Sequence, residues 1–162
     1  MFHRTYLGLG SNLGDRAENI KDALIALARV GVVRKVSGIY ETEPVGEVAQ
    51  PAFYNAVALL ETPIAPRALL SKLKAIEGEI GRTPGGPRWG PRVIDLDILS
   101  FDDLIRADQG LTIPHPEMEK RRFVLDPLSE IAPGWVHPES KKSVEVLLKE
   151  CSEQKCMRLE RS

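Results

Sequence analysis

The order of elements along this chain predicts an α+β fold with a largely antiparallel sheet under flanking helices, and three observations predict it. Over roughly the first hundred residues, strand-like and helix-spaced apolar runs follow one another as β-α-β-β-α-β. Glycine and proline punctuate the chain where each run must stop. The strongest strand, residues 93–101, carries apolar side chains on both faces and so belongs inside a covered sheet. This order is that of the ferredoxin-like split βαβ unit.

Residues 5–9 are short, apolar and β-prone, and they run through Gly10-Ser11-Asn12-Leu13-Gly14 into a segment whose Ile20, Leu24 and Leu27 recur at helical spacing. Ser11 or Asn12 is the expected cap of that helix. The turn is no phosphate loop: it lacks the Gly-Lys-Ser/Thr ending, and its third glycine falls one position late for a dinucleotide fingerprint. Residues 32–40, rich in β-branched side chains, form the second strand, and residues 54–61 the third, after the Gly/Pro-punctuated stretch 44–51. Pro66 suits the first turn of a helix that runs through Leu69, Leu70, Leu73 and Ile76 to about residue 80, where Gly81 stops it. Loop 81–91, GRTPGGPRWGP, excludes regular structure. The final third extends the unit with a proline-bracketed turn at 113–116, a short helix near 117–121, an irregular stretch to Trp135 and a helix over 144–150. Residues after Glu150 are polar and are expected to fray.

A chain of 162 residues suits one domain, and 43% hydrophobic residues suffice for its core. Lys plus Arg total 22 against 23 Asp plus Glu, a net charge of −1 that gives no bulk attraction to nucleic acid or an anionic membrane. Any anion site must come from local clustering. Cys151 and Cys156 have no partners at zinc-site spacing and are expected to be free thiols in a reducing compartment. The N-terminus lacks a signal-peptide core and no apolar run is long enough to span a bilayer, so the expected location is the cytoplasm.

The chemistry concentrates at the last strand of the unit. Alternate strand residues share a face, so Asp95 and Asp97 project together with Cα atoms roughly 6–7 Å apart. Two carboxylates on an apolar strand repel each other and lose hydration, which requires a cation over them. Either Arg82, Arg88 and Arg92 pair with them as a structural network, or a metal does. Magnesium takes a few carboxylates plus substrate phosphate oxygens, so the metal alternative implies a phosphorylated substrate. Loop 81–91 sets Arg82, Arg88 and Trp89 among glycines and prolines, with Arg92 just beyond, and guanidinium groups there could close over a polyphosphate. His115, between Pro114 and Pro116, is a further candidate whose backbone is restricted by its neighbours. Phe53 and Phe123 are core residues by default, Asn55 suits a backbone bond as well as a ligand, and Glu77 suits a solvated helix face.

The run Arg88-Trp89-Gly90-Pro91-Arg92-Val93-Ile94-Asp95-Leu96-Asp97-Ile98-Leu99 closely resembles the signature of the 6-hydroxymethyl-7,8-dihydropterin pyrophosphokinase family of folate biosynthesis. Gly10 to Gly14, Tyr40 with Thr42 and Pro44, Gln50-Pro51 before Asn55, and Pro114-His115 before Arg121 and Phe123 agree in order. The resemblance implies transfer of pyrophosphate from ATP to the pterin hydroxymethyl oxygen with release of AMP. It implies two Mg²⁺ ions on Asp95 and Asp97, with Arg82 and Arg92 neutralising developing charge. ATP would contact Leu70, Glu77, Arg82, Arg88, Trp89, Arg92, Ile98, Thr112, His115 and Arg121. The pterin would stack between Phe53 and Phe123, with Thr42, Pro44, Val45, Asn55 and Trp89 completing its pocket. Phe53 stands where tyrosine is frequent, Lys74 where a neutral amide is common, and Pro116 where an aromatic often follows the histidine. A monomer is the default expectation. Two other readings compete: an RNA-binding ferredoxin-like module, whose aromatic motif and basic face are missing from the sequence, and a nucleotide- and pterin-binding protein without catalysis.

Overall fold

A computed structural model describes residues 1–42, 52–81, 93–153 and 156–159. Its elements are β1 (His3–Ser11), α1 (Arg16–Leu27), β2 (Val32–Val36), β3 (Tyr40–Thr42), β4 (Phe53–Thr62), α2 (Pro66–Ile80) and β5 (Asp95–Phe101). A hairpin of β6 (Arg106–Asp108) and β7 (Leu111–Ile113), a 3₁₀ turn (Met118–Lys120), α3 (Arg122–Ile131), α4 (Val144–Glu150) and β8 (Met157–Arg158) follow. The main sheet runs β5-β1-β4-β3-β8, with β2 also on β4, and every pairing in it is antiparallel. The expected α+β architecture is the one adopted.

Helices cover both faces of this sheet. Helix α1 turns Ile20, Ala23 and Leu27, and α2 turns Leu69, Leu73 and Ile76, onto Leu7, Leu9, Ala56, Ala58 and Leu60. On the opposite face Val57 and Leu99 meet Val124, Leu128 and Ile131 of α3 and Val144 of α4. Along β5 the register against β1 slips, with Leu7 opposite Ile98 and Tyr6 opposite Ser100, so Leu99 is the extra residue of a bulge. The bulge lets Ile98 and Phe101 share the α1–α2 core while Asp95, Asp97 and Leu99 stand on the α3 face.

Four expectations are corrected. Helix α1 is capped by Asp15, whose carboxylate accepts from Glu18 N at 3.1 Å, because Ser11 is still part of β1 and Asn12 lies buried beside it. The strand foreseen over 32–40 breaks into β2 and β3 at Gly38, whose N–H turns out of the ladder to the Glu130 carboxylate at 3.0 and 3.2 Å. The stretch foreseen as irregular contains α3. Pro127 removes one donor there, but burial of Val124, Leu125, Leu128 and Ile131 along one side outweighs that loss. The tail foreseen to fray forms β8 on the edge of β3, pairing Tyr40 with Arg158 and Glu41 with Met157. Helices α2 and α4 fall where the spacing placed them, and both cysteines are free thiols. Among the described residues no helix is long and apolar enough to cross a membrane.

Candidate active site

Register sets the site. Asp95 lies opposite Gly10 on β1, Gly10 opposite Asn55 on β4, and Asn55 opposite Tyr40 on β3. One step along, Asp97 lies opposite Gly8. Gly10 leaves a floor with no side chain between the Asp95 carboxylate and the Asn55 amide, whereas the space over Gly8 is taken by the Leu99 side chain, 3.4 Å from where a Cβ would stand. A Cβ at Gly10 would stand 2.9 Å from Asn55 Oδ1 and 3.9 Å from the Phe53 ring. Gly10 was read as part of the turn but lies inside β1, and the signal for its role is that glycine inside a strand marks close approach.

On the far side of that floor, Asn55 Nδ2 donates to Thr42 Oγ1 at 3.2 Å. Phe53, at the start of β4, and Phe123, in the first turn of α3, offer half-buried rings on the same side of the sheet. Arg121 leans its guanidinium over Phe123, 5.4 Å from the ring centroid. Tyr40, buried in β3, donates its hydroxyl to Glu130 at 2.8 Å.

At the open edge of β5 lies a pocket of about 290 Å³. Leu70 and Lys74 of α2, Asp97 and Ile98 of β5, Thr112 of β7, His115 and Pro116 line it together with Gly110 and Leu111. Leu70, Ile98, Thr112 and His115, four of the expected ATP contacts, thus line one pocket, and the β6–β7 hairpin, which the sequence reading had not resolved, supplies one wall. Glu77 is not in that lining. Its Oε2 accepts from Leu96 N at 2.7 Å and its Oε1 faces Lys74 Nζ at 3.3 Å, so the carboxylate caps the strand edge between the two aspartates.

The His115 turn is held to the same edge, its N–H donating to Leu99 O at 2.8 Å. Nδ1 accepts from Glu117 N at 3.2 Å, which leaves the proton of the neutral ring on Nε2. Burial lowers the His115 pKa below its ordinary 6.5, and the nearby Arg121 adds to this against the opposite pull of Asp97 and Glu117. Asp97 is exposed and Asp95 half-buried. Among the described residues no three His, Cys, Asp or Glu side chains form a metal cage. Asp95 and Asp97, on one face of β5, are a donor set of two carboxylates, the chemistry that suits a magnesium ion whose other ligands are phosphate oxygens and water. Pro44, Val45, Arg82, Arg88, Trp89 and Arg92 lie outside the described residues.

Two carboxylates on one face of β5, of which Asp97 lines the pocket, on an α+β scaffold, suit a phosphoryl-transfer enzyme. Residues 6–133 match the family model described as 7,8-dihydro-6-hydroxymethylpterin-pyrophosphokinase. A 2-amino-4-hydroxy-6-hydroxymethyldihydropteridine pyrophosphokinase of Pseudomonas aeruginosa is 44% identical over 149 residues, covering 91% of each chain. Namesakes from Aquifex aeolicus and Haemophilus influenzae are 42% identical over 85% of each chain and 41% identical over 95% of this chain and 96% of that one. Among solved structures, the wild-type Plasmodium falciparum HPPK-DHPS with STZ-DHP superposes with a TM-score of 0.73 at 17% identity. The alignment covers 93% of this chain and 43% of that one, and at such identity it speaks for the fold alone. The chain belongs to the 7,8-dihydro-6-hydroxymethylpterin-pyrophosphokinase family. It is accordingly a pyrophosphokinase of folate biosynthesis with ATP as co-substrate.

Proposed function

We propose that one domain carries the whole reaction, from ATP to the hydroxymethyl oxygen of 6-hydroxymethyl-7,8-dihydropterin, with the pterin on the Asn55 side of the Gly10 floor and ATP in the pocket beside Asp97. The observation that carries this reading is the row Asp95, Gly10, Asn55. It sets a carboxylate and an amide two strand spacings apart, roughly 10 Å, with nothing taller than a glycine between them. A flat bicyclic ring fits that span, its polar edge against Asn55 and Thr42 and its reacting arm towards Asp95.

The residues divide the work. Phe53 and Phe123 hold the ring by its faces, and a wrong heterocycle offers no matching partner to Asn55 Oδ1, the amide atom that does not bond Thr42. Pro44, Val45 and Trp89 complete this side. Alternation from Leu96 turns the Ile98 N–H to the open edge of β5, beside Leu70 and Thr112, where a planar base can be read. Neutral His115 donates Nε2–H to a phosphate oxygen, and Arg121 adds charge. Arg82, Arg88 and Arg92 grip the triphosphate, and Arg82 and Arg92 offset charge as the bond to AMP breaks. Asp95 and Asp97 would hold two Mg²⁺ ions, which when bound neutralise the triphosphate and lower the pKa of the attacking hydroxyl. Alignment and electrostatics suffice for this chemistry, so no protein general base is assigned. The enzyme acts as a cytoplasmic monomer on these two small molecules.

The test is product analysis of the purified protein with Mg²⁺, ATP and 6-hydroxymethyl-7,8-dihydropterin. Pterin-dependent AMP is expected. ADP in its place would mean transfer of a single phosphoryl group, and binding without turnover would mean a sensor.

A further inference from the structure

The C-terminal tail is tied down at more points than its length of two paired residues requires. Leu159 N donates to Ile39 O at 2.8 Å, and Arg158 Nε donates to Glu130 Oε1 at 2.9 Å. Arg158 crosses close to the chain here: a Cβ at Gly38 would stand 2.8 Å from its guanidinium, which would have to shift. At the other end of the segment, Cys156 N donates to Asp126 Oδ2 at 3.0 Å. Asp126 is itself only 6% exposed and is held by Arg122 at 2.8 Å. These anchors fix the Cys156 side chain against β3, where Sγ lies 3.5 Å from Thr42 Oγ1.

We propose that the C-terminal strand is a positioning element of the acceptor site, and that Cys156 sets the Thr42 hydroxyl and, through it, the Asn55 amide. This rests on the reading of Thr42 and Asn55 as pterin contacts. Strand β3 is three residues long, and without β8 it would be a bare sheet edge, the least stable place in a sheet for a side chain that must hold one rotamer. Thr42 Oγ1 accepts the Asn55 Nδ2 proton, and that bond aims Asn55 Oδ1 over Gly10. The second partner of Thr42 is the Cys156 thiol. Cys156 is 7% exposed, and its burial pushes its pKa up, so it is present as the neutral S–H that can give or take a hydrogen bond. The chain Cys156, Thr42, Asn55 therefore joins the tail to the group that reads the ring. It touches neither the nucleotide pocket nor the paired aspartates, so its loss should weaken the acceptor alone.

The experiment is steady-state kinetics on Cys156→Ala, Cys156→Ser and a chain ending at Ser152, with Asn55→Ala as reference. The quantities are the KM for 6-hydroxymethyl-7,8-dihydropterin at saturating MgATP and the KM for ATP at saturating pterin. Loss of one weak buried hydrogen bond predicts about a threefold rise in pterin KM for Cys156→Ala, and loss of the strand about tenfold or more. ATP KM is expected to stay within about twofold in both, and Cys156→Ser, which restores a donor and acceptor, to recover at least half of the loss. Unchanged pterin KM in the alanine variant, both constants rising together, or no recovery with serine would each overturn the proposal. Should the shortened chain not fold, the alanine and serine pair decides alone. If Asn55→Ala leaves pterin KM unchanged, the acceptor-site reading is what falls.

Discussion

Asp97 stands exposed on a strand whose neighbours Leu96 and Ile98 are buried, and its side chain serves no core that the fold needs. Asp97→Ala is therefore expected to melt within a few degrees of the wild type and to lose turnover by about a thousandfold or more, the scale of a removed electrostatic stabiliser. A folded variant with near-normal rate would remove Asp97 from the reaction. His115 makes a different prediction, because burial lowers its pKa from 6.5 and the native ring is neutral where the unfolded one begins to protonate. Between those two values the unfolded chain binds the extra proton, so this group's effect on stability is absent above about pH 6.5 and turns destabilising as the pH falls below it. Ring chemical shifts followed against pH should give a value below the ordinary one in the free protein. Adding MgATP should raise it, since a triphosphate beside Nε2 favours the charged ring. A value that ATP leaves in place would take His115 off the phosphates.

Strand register governs the next scale, and it separates what could be read in the sequence from what could not. Asp95 and Asp97 were legible because alternation within one strand suffices to put them on one face. The alignment of Asp95 with Asn55 across Gly10 was not, because it depends on how strands distant in the chain slide past one another. Local patterns likewise gave α2 and α4, whose apolar spacing is unbroken. Helix α3 hid behind Pro127, and β8 behind a polar composition whose pairing is decided by Ile39, Tyr40 and Glu41 far upstream. Gly10 offers a test at this scale. Its φ lies outside the left-handed region, so alanine fits the backbone, and in a strand interior it removes the flexibility of glycine. The new Cβ would stand 2.9 Å from the end of the Asn55 side chain, which must move, and at an ordinary contact distance of 3.9 Å from the Phe53 ring. Gly10→Ala should thus change stability by under about 1 kcal/mol while raising pterin KM about tenfold. A thermal melt and the two KM values check it, and a collapse of stability with both constants altered would show that Gly10 serves the sheet instead.

Across the whole molecule, the Glu130 carboxylate joins three parts of the chain. From α3 it receives Gly38 N–H ahead of β3, the Tyr40 hydroxyl within it, and Arg158 of β8. Burial alone would raise the Glu130 pKa, but hydrogen bonds from Arg158, Tyr40 and Gly38 outweigh it and hold the group below its ordinary 4.5. Tyr40, pushed up to about 12 by burial and then by its bond to Glu130, remains a neutral donor throughout the working range. A depressed carboxylate stabilises the fold fully above its unfolded pKa and loses that contribution as the pH falls through the folded one. The wild type should therefore melt higher than Glu130→Gln near neutrality, and the two curves should converge as the pH falls from about 4.5 through the lower folded pKa, beneath which both side chains are uncharged. Much of Arg158 and Glu130 is open to water, so added salt should narrow the gap as well. A gap that persists unchanged in acid would mean that glutamine fails through its shape, with the ionised carboxylate contributing nothing to the junction.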